Sequence, residues 1–214
     1  MKYWIFSTLT AIIAYLFGSL NTQVIASNFV FRTNLRRLGK GSAWLSNFRR
    51  VYGVGGLIKL ALIELVKDAV PVIIGGRLFA SSGNAEVGRA LAAFCLVLGR
   101  MYPSIYGFRG SYATAAVAIG ALFMNFSVGA AVLFVSVLIT WATRYLALGT
   151  LAGGIVLAVA GVLVIDNTLA VRLCIFIGVL VLIRMAPALS RIAARKEDRL
   201  SLEKDISYKF DEQI

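Results

Sequence analysis

LALGTLAGGIVLAVAGVLVI, residues 146–165, runs without a charged side chain between Arg144 and Asp166. As a helix rising 1.5 Å per residue it would measure about 30 Å, the depth of a bilayer's hydrocarbon core. Further apolar runs lie at 3–30, 54–75, 85–102, 111–124, 128–143 and 168–188. The chain of 214 residues is 59% hydrophobic, against roughly 45–50% in soluble domains. The pattern predicts an all-α polytopic membrane protein of about seven transmembrane helices. Residues 1–190 would form the membrane domain and 191–214 a charged tail. The first run is too long for a signal-peptide h-region and lacks a clear small-residue cleavage site, so it reads as a retained span. The fourth is short, and only Asn125, Phe126 and Ser127 separate it from the fifth. Short spans need shielding by protein or enter only part of the bilayer.

Charge sets the orientation. Residues 31–53 carry Arg32, Arg36, Arg37, Lys40, Arg49 and Arg50 with no acid. Alternating from there puts Arg109, Arg144 and the tail on the same side, so the N-terminus is expected outside and the C-terminus in the cytoplasm. The net charge of +12 then belongs to the membrane surface and its anionic lipids. A nucleic-acid partner is not expected, because the aromatics lie mostly in the apolar runs and not among the basic residues. Cys95 and Cys174 sit inside apolar segments and read as small hydrophobes. The sequence holds no histidine, which excludes a histidine-ligated metal and a histidine general base.

Three constellations could carry chemistry. Glu64, Lys67 and Asp68 share a helical face in the second run, where ionised groups are costly unless paired or hydrated. They suit either a polar site wall or a buried ion-pair cluster. Asn34 to Asn47 form a Gly-rich basic loop, with Gly39, Lys40, Gly41 and Ser42 followed by Ser46, Asn47 and Arg50. Glycines let backbone amides approach an anion, and arginine forks match phosphate oxygens. Gly99-Arg-Met-Tyr-Pro103 and Gly107-Phe-Arg-Gly-Ser-Tyr-Ala-Thr114 make a second Gly/Arg loop.

In order and spacing these pieces resemble the PlsY family, bacterial acyltransferases that use acyl phosphate and glycerol 3-phosphate. The resemblance begins at Tyr15-Leu-Phe-Gly-Ser19 and runs through Leu35-Arg36 to the first loop, which is similar to the family's G-S-G-N-x-G-A-T-N-x-x-R-x-x-G. Lys67, Gly99-x-Met-Tyr-Pro103, Gly107-Phe-Arg-Gly110, Ala113-Thr114 and Arg144-Tyr145 extend it over nearly the whole chain. It implies a seven-helix fold in the bacterial inner membrane, with a site open to the cytoplasm and no metal or cofactor. Members acylate the 1-hydroxyl of glycerol 3-phosphate to give lysophosphatidate. By the resemblance Ser19, Arg36, Gly39, Lys40 and Gly41 would hold phosphate or lipid head group, as would Ser42, Asn47, Arg50 and Arg109.

The departures shape the functional expectation. Lys40 stands where the family has Ser, Ser42 where it has Asn, Trp44 where it has Gly, and Arg100 where it has His. The Phe108 loop is shorter, and Met185 and Ala188 replace a His and an Asn near the end of the last span. Acyl transfer needs a positioned alcohol, a route for its proton, and donors for the oxyanion and leaving phosphate. Loss of these polar groups favours a catalytically degenerate relative that binds lipid or serves as a subunit beside other membrane proteins. The alternative is an acyltransferase of altered chemistry, relying on Lys67, Ser46, Asn47 and Arg50. A transporter built on Glu64, Lys67 and Asp68 is the third.

Overall fold

The computed structural model describes residues 2–38, 45–197 and 199–200. Gly39, Lys40, Gly41, Ser42 and Trp44 of the first loop therefore lie outside the described residues, as do residues 201–214 of the tail. The described chain is helical throughout: α1 (Lys2–Ser19), α2 (Thr22–Ile25), α3 (Leu45–Ala80), α4 (Ala85–Met101), α5 (Thr114–Met124), α6 (Phe126–Thr143), α7 (Leu146–Val164) and α8 (Thr168–Ala193). A π turn at Ala26–Val30 prolongs α2, and 3-10 turns occupy Leu35–Arg37 and Ser104–Tyr106.

Among the described residues three helices, α6, α7 and α8, are long and apolar enough to cross a bilayer, and α1 with the bent α2 segment makes up to four. The long α3 carries Lys59, Glu64, Lys67 and Asp68, and α4 and α5 have only 17 and 11 residues. Protein shields the short ones. α4 packs against α1, α3, α5 and α8, with Ala90, Ala92, Leu96, Val97 and Met101 fully buried. Such a centre meets the demand that every backbone group be satisfied away from lipid.

The structure corrects the expectation of one continuous first span. The helix stops at Ser19 and resumes at Thr22 with a bend of 58°. Asn21 drives the restart, its side chain accepting from the Val24 amide at 3.1 Å as an N-cap. The Leu20 carbonyl freed by the break is taken by Arg100 Nη1 at 3.1 Å. The fourth and fifth helices part at Asn125 alone, whose side chain caps α6 through the Val128 amide at 3.2 Å.

The second run also differs. Its helix begins at Leu45 instead of 54 and is kinked at Gly53, where φ is 67° and ψ is −164°. Only glycine occupies that backbone region at low cost. Leu45–Tyr52 thereby leans on the α2 region, with Phe31 stacked on Tyr52 at 4.0 Å between ring centroids and Phe48 edge-on to Phe31 at 5.8 Å. Gly53→Ala is expected to lower stability by about 1–3 kcal/mol, read as a drop in the thermal midpoint in detergent micelles.

Candidate active site

A cavity of about 860 Å³ lies between α3, α5 and α6, closed at one end by the connecting segments. Its walls are aliphatic: Leu62 and Leu65 from α3, Ala118 and Leu122 from α5, Leu133 and Val137 from α6. Leu62 and Val137 are each 59% exposed, so the cavity opens sideways between α3 and α6, where a bilayer would supply acyl chains. The other end is cationic. Arg36, Arg109 and Arg144, each from a different connection, line it and are solvent-exposed. Arg36 stacks over Tyr106 at 5.7 Å, which leaves guanidinium edges for an anion.

The loops bearing these arginines are held in unusual shapes. Phe108, Ala113 and Arg144 have φ of 60°, 57° and 62°, left-handed conformations that cost energy for residues with a Cβ and persist where the surroundings enforce them. The enforcement is visible. Arg184 Nη2 donates to the Gly110 carbonyl at 3.0 Å, and its guanidinium lies over the Tyr102 ring. The Tyr15 hydroxyl donates to the Tyr102 carbonyl at 2.8 Å and accepts from the Ser104 amide at 3.1 Å. Thr114, at the start of α5, shares a hydroxyl hydrogen bond with Thr150 of α7.

The deep wall carries Glu64, Ser19 and Arg100. The expected cluster of Glu64, Lys67 and Asp68 divides into two pairs here. Glu64 pairs with Arg100 across helices, not with Lys67, and Lys67 pairs with Asp68. Arg100 also donates to Thr22 Oγ1 at 3.0 Å, and Lys67 to the Phe17 carbonyl at 3.2 Å. All four are buried. Two acids and two bases make a formally neutral set, the arrangement that ionised groups in a membrane interior require.

Of the residues singled out in the sequence, the cavity gathers Ser19, Arg36, Arg109 and Glu64. Ser19 Oγ donates to the Tyr15 carbonyl at 2.9 Å. Ser46, Asn47, Arg50, Lys67 and Asp68 do not line it. Asn47 is buried and its Nδ2 donates to the Leu38 carbonyl at 3.1 Å, tying the first loop to the start of α3. Met185 and Ala188 sit in the apolar core. Among the described residues no cluster of side chains could hold a metal ion.

The sequence reading missed Arg144 as a rim residue, the partnership of Glu64 with Arg100, and the role of Arg184. The last had a signal, a charge inside an apolar run. It also missed the return of the tail. The Tyr112 phenol donates to Glu197, and burial, then that hydrogen bond, pushes its pKa up to about 12. The phenol is therefore protonated, and a donor, at neutral pH.

The family model described as glycerol-3-phosphate acyltransferase matches residues 8–195. A glycerol-3-phosphate acyltransferase of Francisella tularensis subsp. tularensis is 30% identical over 195 residues, covering 88% of this chain and 90% of the relative. One from Thermoanaerobacter pseudethanolicus is 25% identical over 201 residues, covering 94% and 99%. The crystal structure of PlsY, an integral membrane glycerol 3-phosphate acyltransferase, in its glycerol 3-phosphate form superposes with a TM-score of 0.73 at 21% identity. That match covers 91% of this chain and 96% of the other, so the two share a fold. The chain is a multi-pass membrane protein that belongs to the glycerol-3-phosphate acyltransferase family.

Proposed function

We propose that the chain transfers an acyl group from an acyl phosphate to the 1-hydroxyl of glycerol 3-phosphate, at the cytoplasmic face of a bacterial inner membrane. The observation that carries this reading is the cavity, aliphatic along its walls and arginine-rimmed at one end. Such a slot is as apolar as the bilayer interior and so takes an acyl chain from it at little cost, while guanidinium groups neutralise phosphates. The bond that forms joins the alcohol oxygen to the acyl carbon. The bond that breaks joins that carbon to the phosphate oxygen, and inorganic phosphate leaves with the electron pair. In a chain without histidine, the departing phosphate is itself a competent base for the hydroxyl proton. Arg36, Arg109 and Arg144 hold and orient the two phosphates, and bringing the reactants together supplies much of the rate.

This reading replaces the expectation of a noncatalytic scaffold. That expectation rested on polar groups lost from the loops, yet the cavity lined by Arg36, Arg109 and Arg144 is open and cationic. Lys67 and Asn47 act here as structural supports behind the cavity, and lipid is substrate and product. Arg109→Ala is expected to lower kcat/KM for acyl phosphate by about 10- to 100-fold, the loss of a charge-assisted hydrogen bond. Steady-state kinetics in micelles checks this. An Arg109→Ala protein as fast as the parent would remove Arg109 from the site, and a parent without turnover would restore the scaffold reading.

A further inference from the structure

The chain beyond α8 does not simply leave the bundle. Glu197, its side chain only 8% exposed, accepts from Arg191 Nε at 2.7 Å and from the Tyr112 hydroxyl. Arg191 Nη2 in turn contacts the Tyr112 hydroxyl at 3.1 Å. Two residues on, Arg199 Nε donates to the Tyr145 hydroxyl at 2.9 Å and its guanidinium stacks over that ring at 5.4 Å. The Leu200 amide donates to the Arg144 carbonyl at 2.8 Å, and Leu200 itself lines the cavity. The segment therefore touches the loop before α5 and the turn between α6 and α7, the two places that supply Arg109 and Arg144 to the rim.

We propose that this returning segment is a gate over the phosphate end of the cavity, latched by Glu197 onto Tyr112 and Arg191. Among its described residues the contacts to the rim are polar ones, with Leu200 set against the cavity wall. A segment held this way opens at far lower cost than the bundle unfolds. Opening frees the Arg144 turn and the Tyr112 hydroxyl, both on the cavity wall, for an incoming anion. A phosphorylated ligand and the Glu197 carboxylate thus compete for the Tyr112 hydroxyl, which couples gate opening to substrate arrival. The identity of that ligand rests on the proposed function; the gate itself rests on the contacts alone.

The test is site-resolved cysteine labelling of the full chain in liposomes with a charged maleimide. Ala115→Cys, on the cavity wall, is the reporter. Cys95 and Cys174 are buried, so their modification would reveal unfolding. Glu197→Gln and Tyr112→Phe are each expected to speed reporter labelling about tenfold while Cys95 and Cys174 stay protected. Equal reporter rates in parent and both variants would overturn the gate. Dodecyl phosphate, a stable mimic of an acyl phosphate, is the second probe. Slowed labelling on its addition in the variants supports the acyl-phosphate reading. Fast labelling that dodecyl phosphate leaves unchanged would keep the gate and sink that reading.

Discussion

Arg100→Met is expected to destabilise the folded chain by about 3–5 kcal/mol, the cost of leaving a buried carboxylate without its counter-charge. Glu64 is 5% exposed and its ion-pair partner is Arg100. Losing the guanidinium also strands the Leu20 carbonyl and the Thr22 hydroxyl, which hold the break between α1 and α2 against α4. The double variant Glu64→Gln/Arg100→Met is expected to be markedly more stable than Arg100→Met alone, because removing both charges removes the penalty. Thermal unfolding in micelles, followed by far-ultraviolet circular dichroism, measures both. A double variant no better than the single would mean that the pair is not what holds these helices.

Gly99→Leu is expected to be comparably damaging, through sterics instead of charge. A Cβ on Gly99 would stand 2.2 Å from the Tyr15 carbonyl oxygen, and one on Gly18 would stand 2.1 Å from that of Leu96. Backbones this close are how membrane helices gain packing energy without a hydrophobic drive between them. A Leu there forces α1 and α4 apart, costing about 3 kcal/mol as gross overpacking. It would also shift Ser19, which leans on the Gly99 carbonyl at 3.4 Å, so activity should fall even where the protein folds. Gly55→Leu is the control, since nothing lies within 4 Å of a Cβ built there. The unfolding midpoint should separate the two variants clearly.

Both predictions show where the sequence was legible and where it was not. Apolar runs located α6, α7 and α8 closely, because lipid imposes one composition on a span whatever its neighbours are, and located α4 because its neighbours bury it among apolar side chains. The breaks at Ser19 and Gly53 escaped the same reasoning. Each depends on a local backbone choice, a cap by Asn21 and a positive φ at Gly53, that hydropathy does not register. In the site, Ser19, Arg36 and Arg109 could be named from their motifs. The pairing of Glu64 with Arg100 could not, since 36 residues separate them and only the approach of α3 to α4 joins them. On a single helix Lys67 looked like the partner for Glu64. The tail's composition suggested a solvated segment, and nothing in it announced Tyr112, 85 residues earlier, as the mate of Glu197.

The proposed chemistry of the open, arginine-rimmed cavity can be measured directly. The most direct measurement reconstitutes the purified chain in liposomes with palmitoyl phosphate and radiolabelled glycerol 3-phosphate, and counts lysophosphatidate against released inorganic phosphate. One lysophosphatidate for each phosphate, with saturation in both substrates, is the predicted result. Phosphate released without lysophosphatidate, or neither product from folded protein, would contradict it.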